Sequence, residues 1–165
     1  MNRLFKIQDK MLEKIKEFEN VNIKRDYPLN WERVHMICCA KIGKLLAIKH
    51  GIDMELAAIA CLVHDYGRLV TGKQDNHAAN GYEPLKELLM EEGIFTEEEV
   101  ELIAQSARNH SNKNDIGSPL EEVVKDADVL DCYLYNIQLS REEQRDRLYK
   151  VWEELKLGNN YPFNL

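Results

Sequence analysis

The stretch at residues 57–69, AAIACLVHDYGRL, constrains this chain more than any other. From Leu56 to Val63 it has no polar face, and a helix apolar all round is a buried one. Asp53 supplies an N-cap and Gly67 a C-terminal stop. The run ends in His64 and Asp65, which places an imidazole and a carboxylate at the inner end of a central helix. A carboxylate cannot stay charged there without a partner. A metal ion is the partner that would also use the neighbouring imidazole.

The rest of the chain sets the frame. Its 165 residues suit one domain over 1–165, large enough to bury a core without staples. A net charge of -7 argues against nucleic acid as a partner, because no basic stripe is available to neutralise phosphates. Cys38, Cys39, Cys61 and Cys132 form no C-x-x-C pair and read as free thiols in a reducing compartment. The opening MNRLFKIQDK carries charges where a signal peptide needs its apolar segment. No run approaches ~18 uninterrupted apolar residues, so no membrane span is expected. These features predict a cytoplasmic protein, monomeric or homodimeric.

Helical periodicity runs along the chain. Leu4, Ile7, Met11, Ile15 and Phe18 make one stripe of a helix over 3–19. Residues 20–30, with Lys24, Arg25, Asp26 and Pro28, read as a solvated connector. A second helix from about Asn30 to His50 is expected to bury Val34, Ile37, Cys38, Lys41, Ile42 and Leu45, with His35 inward or at the margin. His50, before Gly51, suits a helix C-terminus and needs no chemistry. After Gly67, the residues from Arg68 through Lys73 to Asp75 read as a polar loop at the rim of a cleft. His77 opens either a helix kinked at Pro84 or a short turn before a helix that Pro84 begins. Thr96 and Glu99 make a capping box for a helix that ends with His110 facing inward. Ser118, Pro119 and Glu121 start another, which sets Asp128 in an apolar stripe and leaves Asp126 on an exposed acidic face. A last helix spans 141–157, and the tail NNYPFNL is expected to be irregular. No segment alternates like a half-buried strand. The fold class is all-α.

Judged together, His35, His64, His77 and His110 each lie on or beside the buried stripe of a different helical segment, and Asp65 and Asp128 are carboxylates in apolar surroundings. Metal sites in helical bundles are assembled in this way from facing helices. The order His35, then His64-Asp65, then Asp128 within KDADVLD resembles the HD-domain superfamily of metal-dependent phosphohydrolases. The resemblance covers about residues 31–136 and includes the HAANGYE and ADVLD segments. It implies a bundle of five or more helices around one or two divalent ions. Carried over by position, His35, His64, Asp65 and Asp128 would hold the first ion, and His77 and His110 would add a second, with Asp65 as the bridge.

Imidazole and carboxylate ligands suit Mn, Fe, Co, Ni or Zn as the divalent transition metal ion. Such an ion makes hydroxide available near neutral pH. Arg68 is a candidate for a phosphate oxygen, with Lys73 a weaker one. Asn109, Ser111 and Asn112 flank His110 as possible substrate contacts, and Asp131, near Asp128, as a group that orients water or a ligand histidine. The expected function is phosphohydrolysis of a nucleotide or similar small phosphate ester through metal-activated water. Two alternatives stand beside it: a non-catalytic metal-holding module that senses a ligand or docks a partner, and a two-iron oxygenase.

Overall fold

The computed structural model describes residues 2–158; the tail expected to be irregular lies outside the described residues. Nine helices and no strand occur among them. They are α1 (Arg3–Phe18), α2 (Leu29–His50), α3 (Met54–Val63), α4 (Tyr66–Thr71), α5 (His77–Asn80), α6 (Tyr82–Glu91), α7 (Glu97–Asn109), α8 (Pro119–Leu134) and α9 (Glu142–Leu155). None of the described helices is long and apolar enough to cross a membrane.

The helix α3 is the centre. Every residue from Ala57 to Val63 is buried, and α1, α2, α7 and α8 pack around it. Asp53 caps its start through the N–H groups of Glu55 and Leu56. Gly43 on α2 lets the two helices come close, since a Cβ there would lie 2.3 Å from Cys61 Sγ of α3. All four cysteines are free thiols.

The buried face of α2 differs from the one its apolar residues suggest. Val34, Lys41 and Leu45 are exposed, Leu45 at 62 %, while Glu32, His35, Cys39, Gly43 and Leu46 face the core. The helix is turned because its inner stripe carries charged, imidazole and small residues that hydropathy scores as outer. Those side chains belong to the site described below.

Gly67 does not stop a helix. It lies within α4, and the left-handed residue that ends α4 is Gly72, with φ +72°. Gly67 serves close approach instead, since a Cβ there would lie 2.0 Å from the His77 carbonyl oxygen and 2.7 Å from Gly81 N. This contact brings α4 against α5 and sets His77 beside Asp65. A short helical turn at His77 does precede a separate helix, but that helix begins at Tyr82, and Pro84 is its third residue, in the first turn, where its missing N–H costs no intrahelical bond. The capping box of Thr96 and Glu99 forms at α7.

Asp126 is not on an exposed face. It is buried against Arg147 of α9, whose Nη1 donates to Asp126 Oδ1 at 2.8 Å. The connector over 20–30 also does more than bridge helices. Asp26 accepts from Gln74 N, Arg25 donates to the Leu69 carbonyl, and Asp26, Tyr27 and Trp31 form one wall of the main cavity.

Candidate metal centre

Six elements deliver the site. His35 comes from α2, His64 caps α3, and Asp65 lies in the sharp turn between α3 and α4. His77 begins α5, His110 caps α7, and Asp128 and Asp131 belong to α8. The four histidines are at most 4 % exposed.

In each of them Nδ1 is committed. Nδ1–H donates to the carbonyl of Cys61 in His64 (2.7 Å), of Gln74 in His77 (2.6 Å) and of Ala107 in His110 (2.6 Å). In His35 it donates to Asp131 Oδ2 at 2.6 Å. A carbonyl or carboxylate only accepts, so the proton resides on Nδ1 and every neutral ring presents its Nε2 lone pair. Partners of this kind orient metal-binding histidines.

The Nε2 atoms gather on two sides of one carboxylate. Asp65 Oδ2 is 3.3 Å from His35 Nε2 and 3.1 Å from His64 Nε2. Asp128 Oδ1 joins that side at 3.3 Å from His35 Nε2 and 3.8 Å from His64 Nε2. Asp65 Oδ1 faces the other way, 3.0 Å from His77 Nε2 and 3.4 Å from His110 Nε2.

Three observations fit this set to divalent ions. The Nε2 atoms of His77 and His110 stand 3.0 Å apart with both Nδ1 positions protonated, so two lone pairs oppose each other unless a cation or proton lies between them. His64 Nε2 and Asp65 Oδ1 are buried and have no hydrogen-bond partner, although such atoms are rarely left so. Charge points the same way. Among the described residues, the cations paired with Glu32, Asp65, Asp128 and Asp131 are Arg68 and Lys113, so two negative charges stay unmatched there while the histidines are neutral.

The rings also titrate apart. Burial pushes His64 down, but Asp65 and Asp128 outweigh it and raise it to about 9. Burial dominates at His110 and lowers it to about 4, helped by His64 and His77 against Asp65. Burial raises the Asp65 carboxyl, yet Arg68, His64 and the other imidazoles hold it well below the usual range.

Arg68 occupies a different setting from the free loop position its sequence suggests. It lies in α4, 6 % exposed, with Nε and Nη2 on the two oxygens of Glu32 at 2.8 and 3.1 Å. Nη2 also donates to Asp65 Oδ2, and Nη1 to Gln74 Oε1 at 3.0 Å. Arg68 therefore braces Asp65 from within the cavity wall, which it also lines. Lys73 is half-exposed, 3.6 Å from Asp26, and is not part of the cavity wall. Asp128, expected within an apolar stripe, has a side chain 16 % exposed that opens to the cavity. Asn109, Ser111 and Asn112 line the cavity too.

Four participants escaped the sequence reading. Glu32 stands on the inner stripe with His35 and Cys39, a pattern visible only when polar residues are admitted to a buried face. Lys113 sits in a polar loop and carries no signal; its Nζ donates to Asp128 Oδ2 at 2.6 Å. Trp31 stacks on His35 with centroids 4.7 Å apart, and the Arg68 guanidinium lies over Tyr27 at 4.8 Å. The cavity in front of Asp65 holds about 1030 Å³ and is ringed by Tyr27, Trp31, Arg108, Lys113 and Arg141.

Residues 33–133 match the family model of the HD domain. No curated protein matches the chain significantly. Among solved structures, a predicted HD superfamily hydrolase from an uncultured Thermotogales bacterium is similar over 90 % of this chain and 89 % of that one. The TM-score is 0.61 and the identity 22 %, a likeness of fold. The matched segment spans more than half of the chain and contains His35, His64, Asp65, His77, His110 and Asp128: the chain belongs to the HD-domain family.

Proposed function

We propose that the protein is a metal-dependent phosphohydrolase acting on a nucleotide or a similar small phosphate ester. One observation carries the reading: a single buried carboxylate, Asp65, turns one oxygen to each of two groups of imidazole Nε2 atoms at the floor of an open cavity. His35, His64, Asp65 and Asp128 would hold one ion, and Asp65, His77 and His110 a second. This donor set suits Mn, Fe, Co, Ni or Zn. The chemistry supplied there by a bound divalent ion is Lewis acidity and a water acidified toward neutral pH.

The chain's own residues do the rest. Asp131 fixes the His35 tautomer, and the three backbone carbonyls fix the other rings. Arg68 and Glu32 hold Asp65 in place, so Arg68 acts through Asp65, and it also lines the cavity where a phosphate would lie. Arg108 and Arg141 at the rim offer positive charge to a polyanionic substrate in a chain whose net charge is -7. Tyr27 and Trp31 offer an aromatic wall for a base, a feature that favours nucleotides over simple phosphate esters.

The test is phosphate release from nucleoside mono-, di- and triphosphates and dinucleotides by protein loaded with Mn²⁺ or Fe²⁺. Turnover that a chelator abolishes and metal restores is expected. A metal-loaded protein that hydrolyses nothing on that panel makes the non-catalytic module the better reading.

A further inference from the structure

The loop between α7 and α8 is inverted with respect to hydropathy. Ile116 is 91 % exposed, while Lys113 is 4 % exposed. Burying an ammonium is costly unless it is paired and hydrogen-bonded. The Nζ of Lys113 donates to Asp128 Oδ2 at 2.6 Å and to the Lys125 carbonyl at 3.3 Å.

The loop is also pinned from beneath. Arg147 Nε donates to the Lys113 carbonyl at 2.7 Å, and its Nη2 to the Asp115 carbonyl at 3.3 Å. Lys125 Nζ reaches the same Asp115 carbonyl at 2.7 Å. Two further buried cations, one on α8 and one on α9, thus fix the backbone around the lysine. The helix α9 lies beyond residues 33–133, so the part of this support that Arg147 gives comes from outside the matched segment.

A carboxylate on its own turns about a broad terminal torsion and offers one oxygen or both. Here Oδ2 is taken by the ammonium, while Oδ1 faces His35 and His64 and accepts a long contact from the Cys132 thiol at 3.6 Å. We propose that Lys113 is a positioning residue: by holding Oδ2 it fixes the Asp128 carboxylate so that Oδ1 alone meets an ion between His35 and His64. The inference rests on the metal-centre reading above and deepens it.

The competing role predicts the opposite sign. A lysine that merely neutralises Asp128 repels a divalent ion, and its removal tightens binding. A lysine that positions Asp128 loosens binding when removed. The experiment titrates the metal-free full chain with Mn²⁺ against a chelating dye, for wild type, Lys113→Met and Lys113→Gln, with far-UV circular dichroism as the folding control.

In Lys113→Met one ion equivalent is expected to weaken by about 10-fold or more, the scale of lost second-layer support. Lys113→Gln, which keeps a donor, recovers part. If the Met variant does not fold, the Gln variant decides: weakened Mn²⁺ binding supports the proposal and native affinity overturns it. Asp128→Asn and the double variant Lys113→Met with Asp128→Asn should bind alike, because the lysine acts only through that carboxylate. Unchanged or tighter binding in the single variants, or effects that add in the double, overturns the proposal. No substrate enters the assay. A wild type that hydrolyses no phosphate ester therefore sinks the hydrolase reading alone, while a turning-over enzyme whose Lys113→Met form binds Mn²⁺ normally sinks this one alone.

Discussion

Two buried ionic clusters lie among the described residues, and they are built to different ends. Around Arg147, on the α8–α9 side, Glu122, Asp126 and the carbonyls of Lys113 and Asp115 take up the guanidinium donors, and Lys125 closes the ring through Glu122. Around Asp65, at the end of α3, the lone pairs of His77 and His110 face each other and Asp65 Oδ1 has no hydrogen-bond partner. The first cluster matches its two cations, Arg147 and Lys125, with two carboxylates of the chain, Glu122 and Asp126, although Asp126 Oδ2 has no hydrogen-bond partner either. The second is short of positive charge. A network balanced in charge holds a fold together, and one that lacks a cation marks where a ligand belongs.

The sharpest break between the two is Asp65→Asn. The substitution removes the carboxylate that both proposed ion positions would share, and the proposed hydrolysis should fall by on the order of a thousand-fold, several kcal/mol of lost transition-state stabilisation. Elemental analysis should find most of both metal equivalents gone, with the helical signal retained because Arg68 still has Glu32. Metal content and turnover like the wild type's would remove Asp65 from the centre.

The converse variant is Arg147→Ala. Its side chain is 8 % exposed and its loss strands Asp126, itself buried, so unfolding free energy should drop by about 3–5 kcal/mol. Urea unfolding of the metal-free chain measures it. A drop below 1 kcal/mol would show that this cluster is no keystone and that the contrast between the two has been drawn too strongly.

These clusters also show what the sequence could reveal. The course of the helices was legible from apolar periodicity and caps, and the His64–Asp65 pair from the apolar run before it. The four histidines and two aspartates named from sequence do converge. What stayed hidden were the cations and their partners. Hydropathy reads Glu32, Arg68, Asp126 and Lys113 as outer residues, yet all but Arg68's cavity edge are inside or under the surface because each has a partner distant in the chain. The α2 face was misjudged for the same reason, since its inner stripe is the polar one. Gly67 was read by its commonest use, a stop, when its use here is contact with His77 and Gly81.

A smaller effect separates the clusters by pH. Burial raises the Glu122 carboxyl, but hydrogen bonds from Arg147, Gly117 N and Lys125 outweigh it and bring it down to about 2. Arg147 and Lys150 face it from α9 and Lys125 from its own helix. A carboxyl depressed in the folded state lends stability that is full above its unfolded pKa of 4.5 and fades as pH falls from there toward 2. After allowance for solvent screening the contribution is about 1–2 kcal/mol. Asp126 works against it, because burial holds its carboxyl above the ordinary value despite Arg147. Glu122→Gln should therefore flatten the loss of melting temperature between pH 4.5 and 2.5. The same slope in variant and wild type would assign acid sensitivity to other carboxylates.

The smallest effect expected is at Lys73, and it tests where the cavity ends. Lys73 and Asp26 are 48 % and 38 % exposed and 3.6 Å apart, an ion pair of the kind worth at most about 0.5 kcal/mol. The Asp26 carboxylate has a second task, accepting from Gln74 N at 2.8 Å, and Gln74 in turn receives Arg68. Lys73→Ala should leave melting temperature, metal content and kcat/KM within about twofold of wild type, since a solvated charge at this distance is screened. Asp26→Ala should do more, loosening the connector that carries Tyr27 and raising KM more than it lowers kcat. A Lys73→Ala enzyme whose KM for a nucleoside triphosphate rises tenfold, with kcat unchanged, would extend the substrate's path past Asp26 and make Lys73 part of the rim after all.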